Sequence, residues 1–266
     1  MHAAISLDSK ATVVIPVTTT EYMKSKLREA GASEIVQHGK SWVEADSHLK
    51  TILLHEARAR GEYAVYVPPF DAPEIWDGNA TMVHEIAEQL ADAQSQGSQA
   101  NGFHAGNIDA IVCSVGGGGL FSGVMQGLED LDMKRTLVLA METEGADSLS
   151  QALKAGHLIT LPAITSVATS LGCRTVCQEA FECGQKDVVK SVVLTDEEAI
   201  NGCRQFANDE RIMVEVACGI AIAACYNGRL KQLLPDLRKD SKVVIVVCGG
   251  SNVSLEIFEE WSRKYK

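Results

Sequence analysis

Four consecutive glycines, Gly116 to Gly119, constrain this chain more than any other feature of its sequence. The apolar run Ala110 to Cys113 precedes them and the helix-compatible run Leu120 to Leu128 follows, so the pattern predicts a strand, a glycine loop and a helix. Glycines let backbone N–H groups converge on an anion because no Cβ stands in the way, and the helix dipole adds attraction. The stretch therefore indicates a site for a ligand that carries a phosphate. The simpler alternative is only a tight turn between strand and helix.

Composition excludes several classes of partner. The chain has 266 residues, 46% of them apolar, and a net charge of −11 without a basic stripe, which argues against binding nucleic acid or an anionic membrane. We find no secretory signal and no apolar run near the roughly 20 residues of a membrane span. Several of the eight cysteines lie in apolar segments, as is typical of a reduced protein, so we expect a cytoplasmic location. Cys173 and Cys177 lack a second ligand pair, and zinc is not expected.

Strand and helix patterns alternate along the chain, which predicts parallel strands with right-handed crossovers. Strands are predicted at residues 11–16, 34–37, 64–67, 110–113, 137–141, 188–194 and 242–248. Helices are predicted at residues 20–30, 41–60, 79–90, 120–128, 148–155, 166–171, 215–226 and 255–264, with a further one opening at Thr195. The predicted fold class is therefore α/β, with two open, mostly parallel α/β sheets.

We expect two domains in this arrangement. Residues 1–84 form a small α/β domain and residues 85–266 a larger one that carries the glycine loop, with a surface insertion at 92–107 that is rich in Gln, Ser, Gly and Ala. A second glycine-rich turn, at 249–250, also follows a strand. Ligands of such sheets bind at the carboxyl ends of strands, so the two turns are placed to face one ligand from two sides.

Seven segments that span nearly the whole chain carry a family resemblance. They are residues 11–16, 67–71 (Val-Pro-Pro-Phe-Asp), 75–78 (Ile-Trp-Asp-Gly), 114–120, 140–146 (Ala-Met-Glu-Thr-Glu-Gly-Ala), 164–168 and 247–252 (Val-Cys-Gly-Gly-Ser-Asn). In this order they resemble the L-serine/L-threonine dehydratases, which belong to the tryptophan-synthase-β-like group (fold type II) of pyridoxal-phosphate enzymes. The likeness is strongest to the eukaryotic serine dehydratase branch, in which Cys stands at the position of Cys248.

The resemblance implies a role for each residue around the cofactor, pyridoxal 5'-phosphate. The amides of Gly116, Gly117, Gly118 and Gly119 would hold its phosphate. Cys248 would face the pyridine nitrogen, where a neutral thiol leaves that nitrogen unprotonated and favours β-elimination over transamination. Without the resemblance, a buried core thiol is the better explanation of Cys248. Ser170 would lie near the substrate or the ring.

A monovalent cation site, for K⁺ or Na⁺, is implied in the same way. Glu142 would give a carboxylate oxygen, and oxygen ligands suit a hard cation. The remaining ligands would be the carbonyls of Gly116, Ala146, Leu171 and Cys173, with Ser148. Taken alone, Glu142 is also consistent with a solvated acid after a strand.

The sequence departs from the family at its start. Family members carry a segment with the Schiff-base lysine, followed by a Ser-Ser-x-Gly-Asn-Ala-Gly loop, and neither is present in this sequence. Lys10, Lys24 and Lys26 do not occupy the position of that lysine and are expected at the surface, so no catalytic residue is assigned. Three explanations stay open: a truncated gene model or isoform of a working dehydratase, a degenerate paralogue, and an interaction subunit that dimerises with a complete homologue.

The function that the resemblance implies is that of a carbon–nitrogen lyase. The reaction is the pyridoxal-phosphate-dependent conversion of L-serine to pyruvate and ammonia, with L-threonine to 2-oxobutanoate as a side activity. We expect a homodimer that binds these amino acids and has no C-terminal regulatory domain. Because the lysine is missing, we expect this chain itself to be inactive; the alternative is a non-catalytic interaction subunit. Cys248 disfavours a serine racemase or a threonine synthase, which usually have Ser or Thr there.

Overall fold

The computed structural model describes residues 2–96 and 108–265, and the chain divides into two compact units, Met1–Pro68 and Pro69–Lys266. The boundary expected between residues 84 and 85 falls inside one continuous helix, Pro73–Gln96. That helix also includes the first residues of the expected insertion, whose remaining residues, 97–107, lie outside the described part of the chain.

The first unit contains a two-stranded parallel sheet and short helices. Its elements are α1 (His2–Ser6), β1 (Thr12–Ile15), α2 (Glu21–Glu29), β2 (Glu34–Gln37), α3 (Trp42–His48), a π-helical turn (Leu49–Leu53) and α4 (Leu54–Ala59). The two strands pair from Thr12 with Glu34 to Ile15 with Gln37. The Thr20 hydroxyl accepts a hydrogen bond from the Met23 amide and so caps α2, as its sequence predicted.

The strand predicted over residues 64–67 is not formed. This segment has no regular secondary structure, and Val65 and Val67 are 66% and 74% exposed. A strand needs a neighbour that completes its hydrogen-bond ladder, which periodicity alone does not supply. Among the described residues of this unit, only Ile15 and Ala45 are buried apolar side chains, so the unit has a small core.

The second unit contains a four-stranded sheet whose strands are all parallel, in the order β5-β4-β3-β6. Its elements are α5 (Pro73–Gln96), β3 (Ala110–Ser114), α6 (Gly119–Asp130), β4 (Leu137–Thr143), α7 (Ser148–Ala155), α8 (Gln178–Gly184), β5 (Val189–Leu194), α9 (Asp196–Glu210), α10 (Val216–Ile222), α11 (Arg229–Leu233), β6 (Val243–Ile245) and α12 (Leu255–Lys264). The predicted α/β class with parallel strands is confirmed.

Both faces of this sheet are covered, and alternate residues of β3 separate the two cores. Ile111 and Cys113 pack with α5–α8 on one face, whereas Ala110 and Val112 pack with α9 and α10 on the other. The side chains of a strand alternate with a period of two, so a strand buried on both faces is continuously apolar. All five residues of β3 are buried, which fixes the position of the loop that follows it.

Helix α6 lies very close to α5 because two glycines face it. A Cβ at Gly123 would lie 2.7 Å from the carbonyl oxygen of Trp76, and one at Gly127 would lie 2.8 Å from that of Ala80. Since both obstacles are backbone atoms, neither contact tolerates a side chain. The close approach anchors α6, whose amino end carries the glycine loop.

Two further predicted elements need correction, and two helices were not predicted. Residues 166–171 form only a 3₁₀ turn, Thr169–Leu171, because the Ser166 hydroxyl bonds to the Ala168 amide and competes with helix formation. Helices α8 and α11 are too short to show a periodic pattern and were not predicted. Strand β6 ends at Ile245, before the predicted residue 248. None of the helices in the described part of the chain has the length and apolarity of a membrane span.

Candidate functional site

The glycine loop joins β3 to α6 at the carboxyl edge of the four-stranded sheet. Gly118 has φ +104, a conformation that L side chains rarely adopt. The carbonyls of Gly117 and Gly118 accept bonds from Cys177 and Ser122, respectively. Within the described residues, no hydrogen bond uses the amides of Gly116, Gly117 or Gly118, although Gly118 is buried. Three consecutive amides beside the positive end of α6 are thus available to donate hydrogen bonds to an acceptor.

The loop is also packed so tightly that only glycine fits. A Cβ at Gly117 would overlap the ring of Phe70, and one at Gly119 would lie 2.8 Å from the Phe70 carbonyl oxygen. A Cβ at Gly118 would overlap that of Ala180. Close packing therefore requires glycine at these positions, in addition to the open approach that an anion needs.

The second glycine-rich turn follows β6, the strand beside β3, and Cys248 brings the two turns together. The Cys248 sulfur lies 3.8 Å from the hydroxyl of Ser114, which ends β3 two residues before the first glycine of the loop. The Cys248 amide donates to the sulfur of Cys218, 3.2 Å away in α10. The expectation that both turns lie at one edge of the sheet is confirmed.

The Cys248 thiol is exposed, and its neighbours favour its ionised form. The Cys218 thiol, and to a smaller extent the Ser114 hydroxyl, lower the pKa of Cys248 below its usual range, although partial burial of the sulfur acts in the opposite direction. The same contact and burial raise the pKa of Cys218. Of the two thiols, Cys248 is therefore the one whose ionised form these contacts favour.

Ser170 lies in the 3₁₀ turn beside the glycine loop. A Cβ at Gly116 would lie 3.3 Å from the Ser170 carbonyl oxygen and 3.1 Å from the Leu171 Cα. Ser170 itself is exposed. The Asn252 side chain donates to the Thr169 hydroxyl over 2.8 Å, so the turn after β6 also contacts this segment.

A buried hydroxyl network holds the chain that leads to Ser170. The Ser166 hydroxyl donates to Asp196 over 2.5 Å and lies 2.8 Å from the Thr143 hydroxyl. The Asp196 carboxylate also accepts from the Val167 amide at 3.0 Å. Because Asp196 begins α9 and Thr143 ends β4, the network ties this segment to two regular elements.

Glu142 is fully buried at the end of β4. Its two carboxylate oxygens accept bonds from the amides of Leu149 and Ser150 at the start of α7, each over 2.8 Å. Burial nevertheless raises the pKa of Glu142 to about 8. The Asp147 carboxylate raises this pKa further, and the two amide hydrogen bonds and the more weakly acting Lys154 only partly offset the effect of burial.

The predicted cation ligands fall into two sets, one around the 3₁₀ turn and one at the junction of β4 and α7. Gly116 lies against Leu171, whose carbonyl accepts from the Cys173 amide at 2.6 Å. In the other set, the Ala146 amide donates to the carbonyl of Thr143, next to Glu142, and Ser148 begins α7. The described residues contain no cluster of three His, Cys, Asp or Glu side chains that would hold a metal.

Three lysines of the second unit make their contacts away from the glycine loop. Lys186 pairs with Glu129, whereas Lys190 and Lys231 donate to carbonyls near α11. Lys190 and the α11 segment line a cavity of about 1060 Å³ at the amino ends of β3, β4 and β5, the edge opposite the glycine loop.

Sequence reasoning missed three neighbours of the loops. Ser114 and Cys218 contact Cys248, and Phe70 covers Gly117. Phe70 lies in the Pro-Pro-Phe-Asp motif, which carried a signal of its importance. Ser114 begins the motif at residues 114–120, but no role was assigned to it, and Cys218 gave no signal because it lies in an apolar helix.

Comparisons with known proteins agree with this geometry. The family described as "Pyridoxal-phosphate dependent enzyme" matches residues 1–249. An L-serine dehydratase of Saccharomyces cerevisiae is 40% identical over 259 residues, which cover 96% of this chain and 74% of the relative. A catabolic L-serine/threonine dehydratase of the same species is 37% identical and covers 96% and 69%, respectively.

A solved structure gives the same result. The fungal L-serine ammonia-lyase from Rhizomucor miehei superposes with a TM-score of 0.84 at 31% identity, covering 100% of this chain and 78% of that one. The chain therefore belongs to the family of pyridoxal-phosphate-dependent enzymes, with the fold type II architecture.

Proposed function

We propose that this chain is the cofactor-binding part of an L-serine ammonia-lyase. The observation that carries the proposal is the row of three amides without acceptors, Gly116 to Gly118, at the amino end of α6. Such a row fits a phosphate group, and the family whose members use pyridoxal phosphate matches this part of the chain.

The residues present fit the cofactor in two places. The glycine loop would hold the phosphate through backbone amides, since any Cβ at Gly117 would displace the Phe70 ring. Cys248, in the turn after the adjacent strand β6, would face the pyridine nitrogen with a sulfur that the Cys218 thiol and the Ser114 hydroxyl polarise. Pyridoxal phosphate, when bound, supplies the electron sink that β-elimination from an amino acid requires.

The proposed net reaction converts L-serine to pyruvate and ammonia, and L-threonine to 2-oxobutanoate as a side activity. The serine and threonine dehydratases of yeast, at 37% to 40% identity, support this choice of substrates. We place Ser170 near the substrate because it is exposed in the turn that lies against Gly116. The Ser166 network would keep that turn in position.

A monovalent cation, K⁺ or Na⁺, is part of the proposal. Its ligands would be Glu142, Gly116, Ala146, Ser148, Leu171 and Cys173. The support is the Glu142 carboxyl, whose pKa burial raises to about 8. A cation there would allow the carboxylate to ionise, and carboxylate and carbonyl oxygens suit a hard ion.

We further propose that the 266 residues by themselves bind the cofactor without turnover, because no lysine of this sequence occupies the position that the resemblance assigns to the Schiff base. A non-catalytic subunit that pairs with a complete dehydratase is the alternative. A homodimer in the cytoplasm completes the proposal. The resemblance supports the dimer, and the eight free cysteines support a reducing compartment.

The test measures binding and turnover separately. Pyridoxal phosphate is titrated into the purified chain while its absorbance and its quenching of tryptophan fluorescence are recorded. Gly117→Ala should weaken binding about tenfold or more, which corresponds to about 1.4 kcal/mol. Gly156→Ala, an alanine placed in open space, is the matched control and should bind as the parent does.

Turnover is then followed as pyruvate formed from L-serine. No saturable binding, or equal binding by the Gly117→Ala variant, would overturn the cofactor site. Pyruvate production by the 266-residue chain would leave the site intact but refute the proposed inactivity. Co-purification with a complete dehydratase, together with binding but no turnover, would favour the subunit alternative.

A further inference from the structure

Two cysteines with different environments meet at the edge of the proposed site. Cys248 is exposed, whereas Cys218 is fully buried in α10. The Cys248 amide donates to the Cys218 sulfur over 3.2 Å, and the two thiols are close enough for each to shift the pKa of the other. The two side chains are therefore neighbours, with Cys248 reachable from solvent and Cys218 buried behind it.

The surroundings make the exposed sulfur the more reactive of the two. Two donors, the Cys218 thiol and the Ser114 hydroxyl, face it and favour its thiolate. Partial burial of the Cys248 sulfur and the nearby Glu215 carboxylate act in the opposite direction, and the Cys218 thiol has the largest single effect. A thiolate is the form that attacks an oxidant, so an exposed, hydrogen-bonded sulfur with a second thiol in contact has the features of a redox-sensitive pair.

We propose that Cys248 is an oxidation site and that Cys218 is its resolving thiol, so that a hydroperoxide converts the pair into a disulfide. Only one part of this inference rests on the proposed function, namely the expected link between disulfide formation and binding of the cofactor. The disulfide itself requires nothing beyond the two side chains and the oxidant.

The chemistry balances in two steps. The Cys248 thiolate attacks one oxygen of the hydroperoxide, the O–O bond breaks, and an alkoxide or hydroxide leaves while Cys248 becomes a sulfenic acid. The Cys218 sulfur then attacks the Cys248 sulfur, its proton goes to the departing hydroxyl, and water leaves. The pair loses two electrons and the peroxide gains them. A thiol reductant reverses the change.

Oxidation would alter the site directly. The disulfide removes the sulfur that would face the pyridine nitrogen and fixes the turn after β6 to α10. Gly249, which follows Cys248, has φ +119 and no atom within 4 Å of its Cβ position, so the turn has space for this adjustment. We therefore expect the oxidised chain to bind pyridoxal phosphate less tightly than the reduced chain.

The other cysteines provide an internal comparison. Cys113 also lies near Cys248, but it is fully buried and burial raises its pKa to about 12. Cys225 is exposed like Cys248, yet partial burial raises its pKa as well. Cys225 is thus a matched control that shares the exposure of Cys248 and lacks its donors.

The experiment oxidises the purified, cofactor-free chain with hydrogen peroxide near neutral pH and maps disulfides by mass spectrometry without reduction. We expect a linked pair of peptides containing Cys218 and Cys248, which reducing agent separates. Alkylation with iodoacetamide should be about fivefold faster at Cys248 than at Cys225, because its larger thiolate fraction outweighs its lower nucleophilicity. Cys225→Ser should form the same linked peptides.

Two variants of Cys218 separate the roles of that residue. Cys218→Ser retains a hydrogen-bond donor but cannot resolve the sulfenic acid, so a dimedone adduct should accumulate at Cys248. Cys218→Ala should also lose the linked peptide and slow alkylation of Cys248 severalfold. A chain that yields no linked peptide, or one in which Cys225 oxidises as fast as Cys248, overturns the inference even if neither variant folds.

The cofactor arm distinguishes this inference from the proposed function. Pyridoxal phosphate at about ten times its Kd should slow oxidation about tenfold if it covers Cys248. If the disulfide forms at the same rate with and without saturating cofactor, the redox pair stands and the placement of Cys248 at the cofactor fails. If the cofactor binds but no disulfide forms without it, the proposed function stands and the redox pair fails.

Discussion

Replacing Gly118 with alanine separates two reasons for the glycine loop, backbone conformation and close packing. Gly118 has φ +104, and a Cβ there would overlap that of Ala180 and lie 3.0 Å from the Cys177 sulfur. Gly156, which ends α7, has φ +74 and no atom within 4 Å of its Cβ position. Alanine at Gly156 therefore bears only the conformational penalty, whereas alanine at Gly118 bears both.

The magnitudes follow from these two environments. A left-handed conformation costs an L residue about 1–2 kcal/mol. An added methyl group in a packed interior costs about 1–3 kcal/mol more. We expect Gly118→Ala to lower the free energy of unfolding by about 2–5 kcal/mol and Gly156→Ala by about 1–2 kcal/mol.

Urea denaturation followed by circular dichroism measures both variants. With a denaturant slope of about 2 kcal/mol/M, the packing penalty moves the midpoint of Gly118→Ala about 0.5–1.5 M below that of Gly156→Ala. Equal midpoints for the two variants would refute the argument, because the loop would then have room for a Cβ. The same Gly118→Ala protein should bind pyridoxal phosphate more weakly than the Gly156→Ala protein does.

Two further predictions concern the buried polar groups. Glu142 ionises near 4.5 when unfolded and near 8 when folded, so the unfolded state holds fewer protons and the free energy of unfolding falls as pH rises between these values. In choline chloride the parent should lose up to about 1.4 kcal/mol of unfolding free energy per pH unit, and Glu142→Gln should abolish this loss. Potassium chloride should reduce the loss in the parent. A difference in unfolding free energy between parent and variant that does not change with pH would contradict the prediction. Ser166→Ala should cost about 1–3 kcal/mol because Thr143 and Asp196 lose a buried partner. Thr160→Ala, which removes an exposed hydroxyl contact, should cost less than about 1 kcal/mol in the same denaturation assay, and equal losses would exclude a special role for the Ser166 network.

Local signals in the sequence were sufficient for most regular elements. Residues 34–37, 148–155 and 255–264 were predicted with the bounds that the structure has. Thr195 caps α9 through a reciprocal pair with Glu198, as its position before a run of acids indicated. These features depend on neighbours within about one turn of helix, so the sequence pattern carries them directly.

Other parts of the site depend on residues that are far apart in the chain. The contact of Ser114 with Cys248 joins positions 134 apart, and the one between Cys218 and Cys248 joins positions 30 apart. The lowered pKa of Cys248 follows from those contacts and not from its place in an apolar strand pattern. The missing strand at residues 64–67 is the converse case, in which a suitable pattern lacked the hydrogen-bond partner that makes a strand.

The sequence by itself determined the α/β class, the glycine loop between strand and helix, and the family to which the chain belongs, because periodicity, glycine spacing and motifs are properties of order along the chain. Only the tertiary structure decided which groups meet at the edge of the sheet. Placing β6 beside β3 brought the two glycine turns together, and packing α10 against them put Cys218 behind Cys248. Proton affinity and reactivity arise from such neighbours in space, and they therefore followed from the packing of the fold.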